Sequence, residues 1–299
     1  MLEFFEITFQ VSGVSTNIFL PPLISFIVSF FTSMSGVSGA FILLPFQISI
    51  LHYTSPSVSA TNQLFNLIAI PSGVLRYIKE KRMLYSLAAI ITAGSVPGIL
   101  VGSWMRLKYF PDPKKFKFFA GLVLLYIGIK LLKDILYVTK SPPKTNSFVL
   151  KKTTFSLFRS TFIFNDKLFT FPTLPIFFLS LCIGIIGGIY GIGGGALLVP
   201  FLVAYFKLPI YAIAGATLLS TFISSLAGVI IYQILGQYYP HLSVSPDWSL
   251  GFLFGVGGIL GMYLGAKTQK YVPTKIIKSI LCFCVVFISL KYILNFFIS

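Results

Sequence analysis

Acidic side chains are scarce in this chain: seven Asp and Glu stand against 23 Lys and Arg, and none lies between Asp166 and Asp247. That gap removes the ribose-binding carboxylate a dinucleotide site needs about 20 residues beyond its glycines. No Lys-Ser or Lys-Thr pair directly follows the glycine run at 191–195, so a Walker loop fails as well. With two histidines and no His-Glu-x-x-His or Gly-x-Ser-x-Gly, hydrolytic chemistry lacks its parts. Three cysteines, Cys182, Cys282 and Cys284, lie in apolar runs without a Cys-x-x-Cys pair. They read as small buried hydrophobes, not as metal ligands or disulfides. No enzyme, cofactor or metal site is expected.

Charge of either sign is also thin, at 10% of residues, where soluble domains carry about a quarter. What fills the chain instead is apolar: 56% hydrophobic residues over 299 positions and a mean hydropathy of +0.91. A helix crosses the hydrocarbon with about 20 such residues, and stretches of that kind recur at 57 to 75, 84 to 105, 116 to 136, 209 to 235, 248 to 266 and 276 to 298. The sequence therefore predicts an all-α, multi-pass integral membrane protein. Its partner is the lipid bilayer. The net charge of +16 sits between spans, where Lys and Arg set orientation, so nucleic acid is not expected. The N-terminus, "MLEFFEITFQ", has no basic residue and does not fit a cleaved secretory signal.

The chain contains an internal repeat. "SGVSGAFILLPF" from Ser35 aligns with "YGIGGGALLVPF" from Tyr190, bringing Pro45 onto Pro200 at an offset of 155 residues. The same offset brings Gly73 onto Gly228 and Tyr77 onto Tyr232, and "GSVPGILVGS" from Gly94 matches "GGILGMYLGA" from Gly257 after about eight extra loop residues. The expected organisation is an N-terminal segment 1–17, a first repeat 18–138, a basic linker 139–173 and a second repeat 174–299. Each repeat reads as five apolar segments, a to e. The first two are short and broken by Gly and Pro, the pattern of interrupted or re-entrant helices at a transporter's binding site.

Loop charges predict inversion. The c–d loop of the first copy carries Arg76, Lys79, Glu80, Lys81 and Arg82, while its counterpart, "GQYYPHLSVSPDW", has no Lys or Arg. The first belongs in the cytoplasm and the second outside. The linker, with Lys144, Lys151, Lys152 and Arg159, then falls inside, either as a solvated connector or as an amphipathic piece on the membrane surface. A loop with Arg106, Lys108, Lys114, Lys115 and Lys117 disagrees, since it falls outside.

If segment b starts at the glycines, its free N–H groups point into the bundle centre, and the two copies together form an anion site without a charged side chain. Candidate binding groups are Ser35, Gly36, Ser38 and Gly39 in the first copy and Gly191, Gly193, Gly194 and Gly195 in the second. Close helix packing is the other use of such glycines. Segment c adds Asn62, Gln63 and Asn66, with Thr217, Ser220 and Thr221 opposite. Asn62 and Asn66 share a helix face, as do Thr217 and Thr221. Hydroxyls of this kind also bond their own backbone.

The paired glycine motifs, each followed about 15 residues later by Thr-Asn or Ala-Thr, resemble the TauE/SafE family of sulfite exporters, also called the toluene sulfonate uptake permease group. The first copy has Ser35 and Ser38 where the second has Tyr190 and Gly193. The resemblance implies a carrier in the prokaryotic plasma membrane that moves a small anionic substrate: sulfite, sulfoacetate or another organosulfonate. Alternating access is the expected mechanism. An anion channel, or a non-transporting assembly or sensor protein of sulfur metabolism, is the alternative. A homodimer is left open.

Overall fold

The computed structural model describes residues 5–34, 38–136, 150–154, 156, 158–164, 167–195, 197–268 and 274–298. Among these, eleven helices carry the architecture. The first copy contributes α1 (Leu20–Met34), α2 (Ala40–Ser49), α3 (Ser57–Ala69), α4 (Pro71–Lys79), α5 (Tyr85–Tyr109) and α6 (Pro113–Leu136). The second contributes α7 (Thr173–Tyr190), α8 (Val199–Ala204), α9 (Ile210–Tyr238), α10 (Trp248–Thr268) and α11 (Thr274–Ile298). Segment c is one helix in the second copy but breaks at Ile70 in the first. Pro71 brings no N–H and starts a new helix there. Within the described residues, four helices are long and apolar enough to cross a membrane: Tyr85–Tyr109, Thr173–Tyr190, Ala212–Tyr238 and Trp248–Gly265. Their outward faces carry Leu100, Phe178, Ile230 and Phe252, side chains suited to lipid.

The two copies grip each other crosswise. Helix α5 packs on α7 and α1 packs on α10, so segment d of each copy holds segment a of the other. Glycines set both seams. Gly94, Gly98 and Gly102 lie against Phe177 to Gly188 on α7, and Gly257, Gly261 and Gly265 lie against Pro22 to Ser33 on α1. A methyl group at any of these six would collide with the neighbouring backbone, so the seams hold at glycine-to-backbone distance.

Inversion is visible where equivalent helices meet. On α3–α4 and α9, Gln63 lies against Gly228, Gly73 against Leu218 and Tyr77 against Gly215. Numbers rise on one side as they fall on the other, so equivalent helices run antiparallel. The same holds for α6 and α11, where Gly121 meets Tyr292 and Gly128 meets Val286. Two like elements crossing head to tail define a two-fold axis across the helices, which is the inverted repeat.

Short sheets complete the chain. Strands β1 (Glu6–Thr8) and β2 (Ser15–Asn17) form a hairpin tied to the bundle by Asp247. One Asp247 carboxylate oxygen accepts from the Ser12 N–H at 3.0 Å, and the other caps α10 through the Leu250 N–H at 3.0 Å. The linker, expected as a solvated connector or an amphipathic piece, carries strands; its residues 139–149 lie outside the described residues. β3 (Leu150–Thr154), β4 (Arg159–Phe164) and β5 (Lys167–Pro172) make an antiparallel sheet in the order β3-β4-β5. Alternation in "RSTFIF" buries Ser160, Phe162 and Phe164 on one face, and Phe162 stacks on Phe169 with ring centroids 5.3 Å apart. One cysteine also differs from expectation. Cys182 faces outward from α7, whereas Cys282 is buried; the Cys284 side chain lies outside the described residues.

Candidate functional site

Helix α7 stops because Gly191 turns left-handed, with φ 88°, a region that costs any residue with a Cβ. Its N–H and that of Ile192 both return to the Gly187 carbonyl, at 2.8 and 3.2 Å. Gly193 repeats the positive φ at 73°. The run is also a place of close approach. A Cβ on Gly191 would strike the Ser59 backbone, one on Gly194 would strike Ser95, and one on Gly195 would strike the Thr217 carbonyl. The glycines thus let one turn touch α3, α5 and α9 together.

This revises the expected helix start. Helix α8 begins at Val199, beyond the glycines, and is six residues long. Two left-handed residues cannot open a right-handed helix, so the glycines form the turn itself. In the first copy α2 does begin directly after Gly39, whose φ is −69°. Ser35 and Gly36 lie outside the described residues.

Asn62 and Asn66 bind the two turns to each other. The Asn62 amide donates to the Ala40 carbonyl and to the Gly191 carbonyl, both at 3.0 Å, and its oxygen accepts from Gln47 Nε2 at 3.3 Å. The Asn66 amide donates to the Ile192 carbonyl at 3.1 Å, while its oxygen accepts from the Ser38 hydroxyl. Tyr190 adds a third tie, donating to the Phe41 carbonyl at 2.9 Å. Both asparagines are fully buried. The four-residue spacing placed them on one face, and that face clamps the start of α2 to the end of α7.

On the α9 side, Gly194 donates its N–H to Ser224 Oγ at 3.0 Å. Thr217 and Thr221 spend their hydroxyls on their own helix, bonding Ala214 O at 3.0 Å and Thr217 O at 2.8 Å. Ser220, Ser225 and both polar atoms of Gln63 are buried without partners. The structure therefore gathers Ser38, Gly39, Asn62, Asn66 and the second glycine turn into one cluster, with Thr217 and Thr221 against Gly195. Several donors foreseen for an anion are held by the protein in this conformation. A solute entering the cluster would exchange with these internal bonds.

Sequence reasoning missed Arg106. The charge pattern places it in a loop, yet it lies on the last turn of α5 and is fully buried. Its guanidinium stacks 3.7 Å from the Phe116 ring centroid, and Nε donates to Ser59 Oγ at 3.4 Å. A signal existed: Gly94, Gly98, Gly102 and Arg106 recur every four residues, so the seam against α7 runs on into the arginine. Lys108, beside Arg106 in the discordant set, lies 4.7 Å from the Trp104 ring centroid at the helix end. A groove of about 1000 Å³ lies elsewhere, between the β1–β2 hairpin, α3 and α10; it is mostly apolar and includes none of the candidate residues.

Crosswise helix pairs, antiparallel equivalents and a buried polar cluster at two helix breaks define an inverted-repeat integral membrane protein of the transporter class. A family model described as "Sulfite exporter TauE/SafE" matches residues 22–292. The chain belongs to that family and is a membrane transporter. It is 23% identical over 273 residues to "Probable membrane transporter protein YunE" of Bacillus subtilis (strain 168), covering 87% of this chain and 92% of that protein. No solved structure matches.

Proposed function

We propose that the protein carries small sulfur oxyanions, sulfite or an organosulfonate, across the prokaryotic plasma membrane by alternating access. The observation that carries this reading is the Asn62 clamp. A neutral amide joins the helix break of one copy to that of the other, at the point where an inverted repeat has to switch. Backbone and amide donors suit an oxyanion because their partial positive charges stabilise it.

Energetics favour movement without proton coupling. Among the described residues the buried carboxylate is Asp247, and it is committed to the Ser12 and Leu250 N–H groups. A charge crossing 100 mV gains about 2.3 kcal/mol, so a dianion leaving an inside-negative cell gains about 4.6 kcal/mol. In this reading the Arg76–Arg82 loop faces the cytoplasm.

Proteoliposomes loaded with labelled sulfite, with membrane potential and pH gradient imposed separately, provide the test. Efflux should rise with an inside-negative potential and ignore the pH gradient. Efflux driven by the pH gradient alone would contradict the coupling, and no efflux of sulfite or sulfonate would contradict the substrate class.

A further inference from the structure

We propose that Arg106, with Ser103, Ser59 and Tyr232, forms a charged station for the transported oxyanion, lying between the outer end of α5 and the glycine turn. This rests on the transport reading above and adds the one full positive charge that reading lacks.

The first argument is an imbalance. Arg106 is fully buried, and Nη1 and Nη2 have no hydrogen-bond partner. Arginine stays protonated in proteins, so four N–H donors and a positive charge stand unspent. Glu80 pairs with Arg76 and Arg82, and the Asp247 oxygens are engaged by the Ser12 and Leu250 N–H groups. A buried charge lacking a counter-charge is strongly unfavourable, and within a membrane span such a group marks a solute path. Stacking on Phe116 covers one face of the guanidinium but leaves its edge free.

The second argument is the company it keeps. Ser103 lies three residues before Arg106, hence on the same helix face, and its buried hydroxyl lies beside the Tyr232 phenol. Tyr232 and Ser59 complete the group. They give their hydroxyl protons to the last carbonyls of α7, Gly188 O at 2.7 Å and Ile189 O at 2.9 Å. Ser59 therefore links the station to the turn: it accepts from Arg106, donates to Ile189, and its backbone lies against Gly191.

The third argument is shape. A guanidinium fork meets two oxygens of a sulfite or sulfonate head side by side, with the Ser103 hydroxyl on the same helix face near the third. Chloride offers one centre, so it cannot make the two parallel bonds that the fork is shaped for. The station should thus favour oxyanions over halides, and dianions over monoanions.

The test uses the purified full chain with sodium sulfite as the probe and sodium chloride at equal ionic strength as the control. Thermal unfolding and labelled sulfite flux in proteoliposomes are read for the wild type, Arg106→Met and Arg106→Lys. Sulfite should raise the wild-type midpoint above that in chloride. Arg106→Met should unfold no earlier than wild type in chloride, since it sheds an unpaired charge, yet lose the sulfite response and at least tenfold in flux. Arg106→Lys should keep charge but bind sulfite at least tenfold more weakly. A purely structural arginine gives the reverse, an earlier midpoint in chloride with the sulfite response intact, and that overturns the station. If wild type and Arg106→Met move sulfite equally, the station falls and the transport reading stands. If wild type shows an Arg106-dependent sulfite shift but no flux, the station stands and the transport reading falls. Absence of both shift and flux in wild type removes both. Should Arg106→Met fail to fold, Arg106→Lys decides: a sulfite response equal to wild type overturns the station.

Discussion

Replacing Gly191 with alanine separates the two reasons for a glycine at the end of α7. At φ 88° the alanine is held left-handed, at a cost of about 1–2 kcal/mol. Its methyl would also overlap the Ser59 backbone on α3, and forcing atoms into a filled space costs about 1–3 kcal/mol more. The total, about 2–5 kcal/mol, is a large share of the roughly 5–15 kcal/mol that holds a domain folded. Gly13 supplies the control. It has φ 68° and nothing within 4 Å of an added Cβ, so Gly13→Ala should cost only the backbone term, about 1–2 kcal/mol. Reversible unfolding in mixed detergent–SDS micelles, followed by far-ultraviolet circular dichroism, compares the two. Gly191→Ala should be the worse by about 1–3 kcal/mol and should also impair transport, because Asn62 bonds the Gly191 carbonyl. Equal losses would refute the claim that this turn touches α3 at glycine distance.

Other residues give further outcomes. Asn62→Leu strands the Ala40 and Gly191 carbonyls and Gln47 Nε2, at about 1–3 kcal/mol for each buried group; a micelle unfolding curve should show that loss and sulfite flux should vanish. Asp247→Ala removes the cap of α10 and the anchor of the N-terminal hairpin, so a loss of about 1–2 kcal/mol and faster proteolysis before Ser15 are expected. Partial burial would raise the Glu80 carboxyl, but hydrogen bonds and charge from Arg76 and Arg82 outweigh it and hold it below its ordinary value. Such a depressed carboxyl stabilises the fold above its unfolded-state value, and the contribution is lost as pH falls through the folded one. Being a partly exposed pair it contributes little, so Glu80→Gln should slightly flatten the acid limb of a pH–stability profile and leave neutral pH almost unchanged.

The sequence revealed most where its signals were periodic or duplicated. The 155-residue offset exposed the repeat, and the spacing of Asn62 and Asn66 foretold a shared face, because both are one-dimensional patterns. What that face touches was not legible: the asparagines hold backbone carbonyls of both copies, a contact over about 130 positions that no local pattern encodes. The start of α8 was misplaced since a glycine run marks a break without stating its handedness. Arg106 reads as interfacial because it is an arginine near a helix end, although the four-residue recurrence from Gly94 runs on to it. The linker's sheet hid in a stretch whose lysines suggested a solvated tether, although Arg159 to Phe164 alternates with a strand's period.

The central claim, a binding site exposed to one side at a time, is tested most directly by counterflow. Vesicles holding the purified protein and concentrated unlabelled sulfite are diluted into trace labelled sulfite with the membrane potential clamped at zero. The account predicts that label accumulates inside transiently, above its outside concentration, as unlabelled sulfite leaves. A monotonic approach to equal concentrations, the behaviour of an open pore, would contradict it.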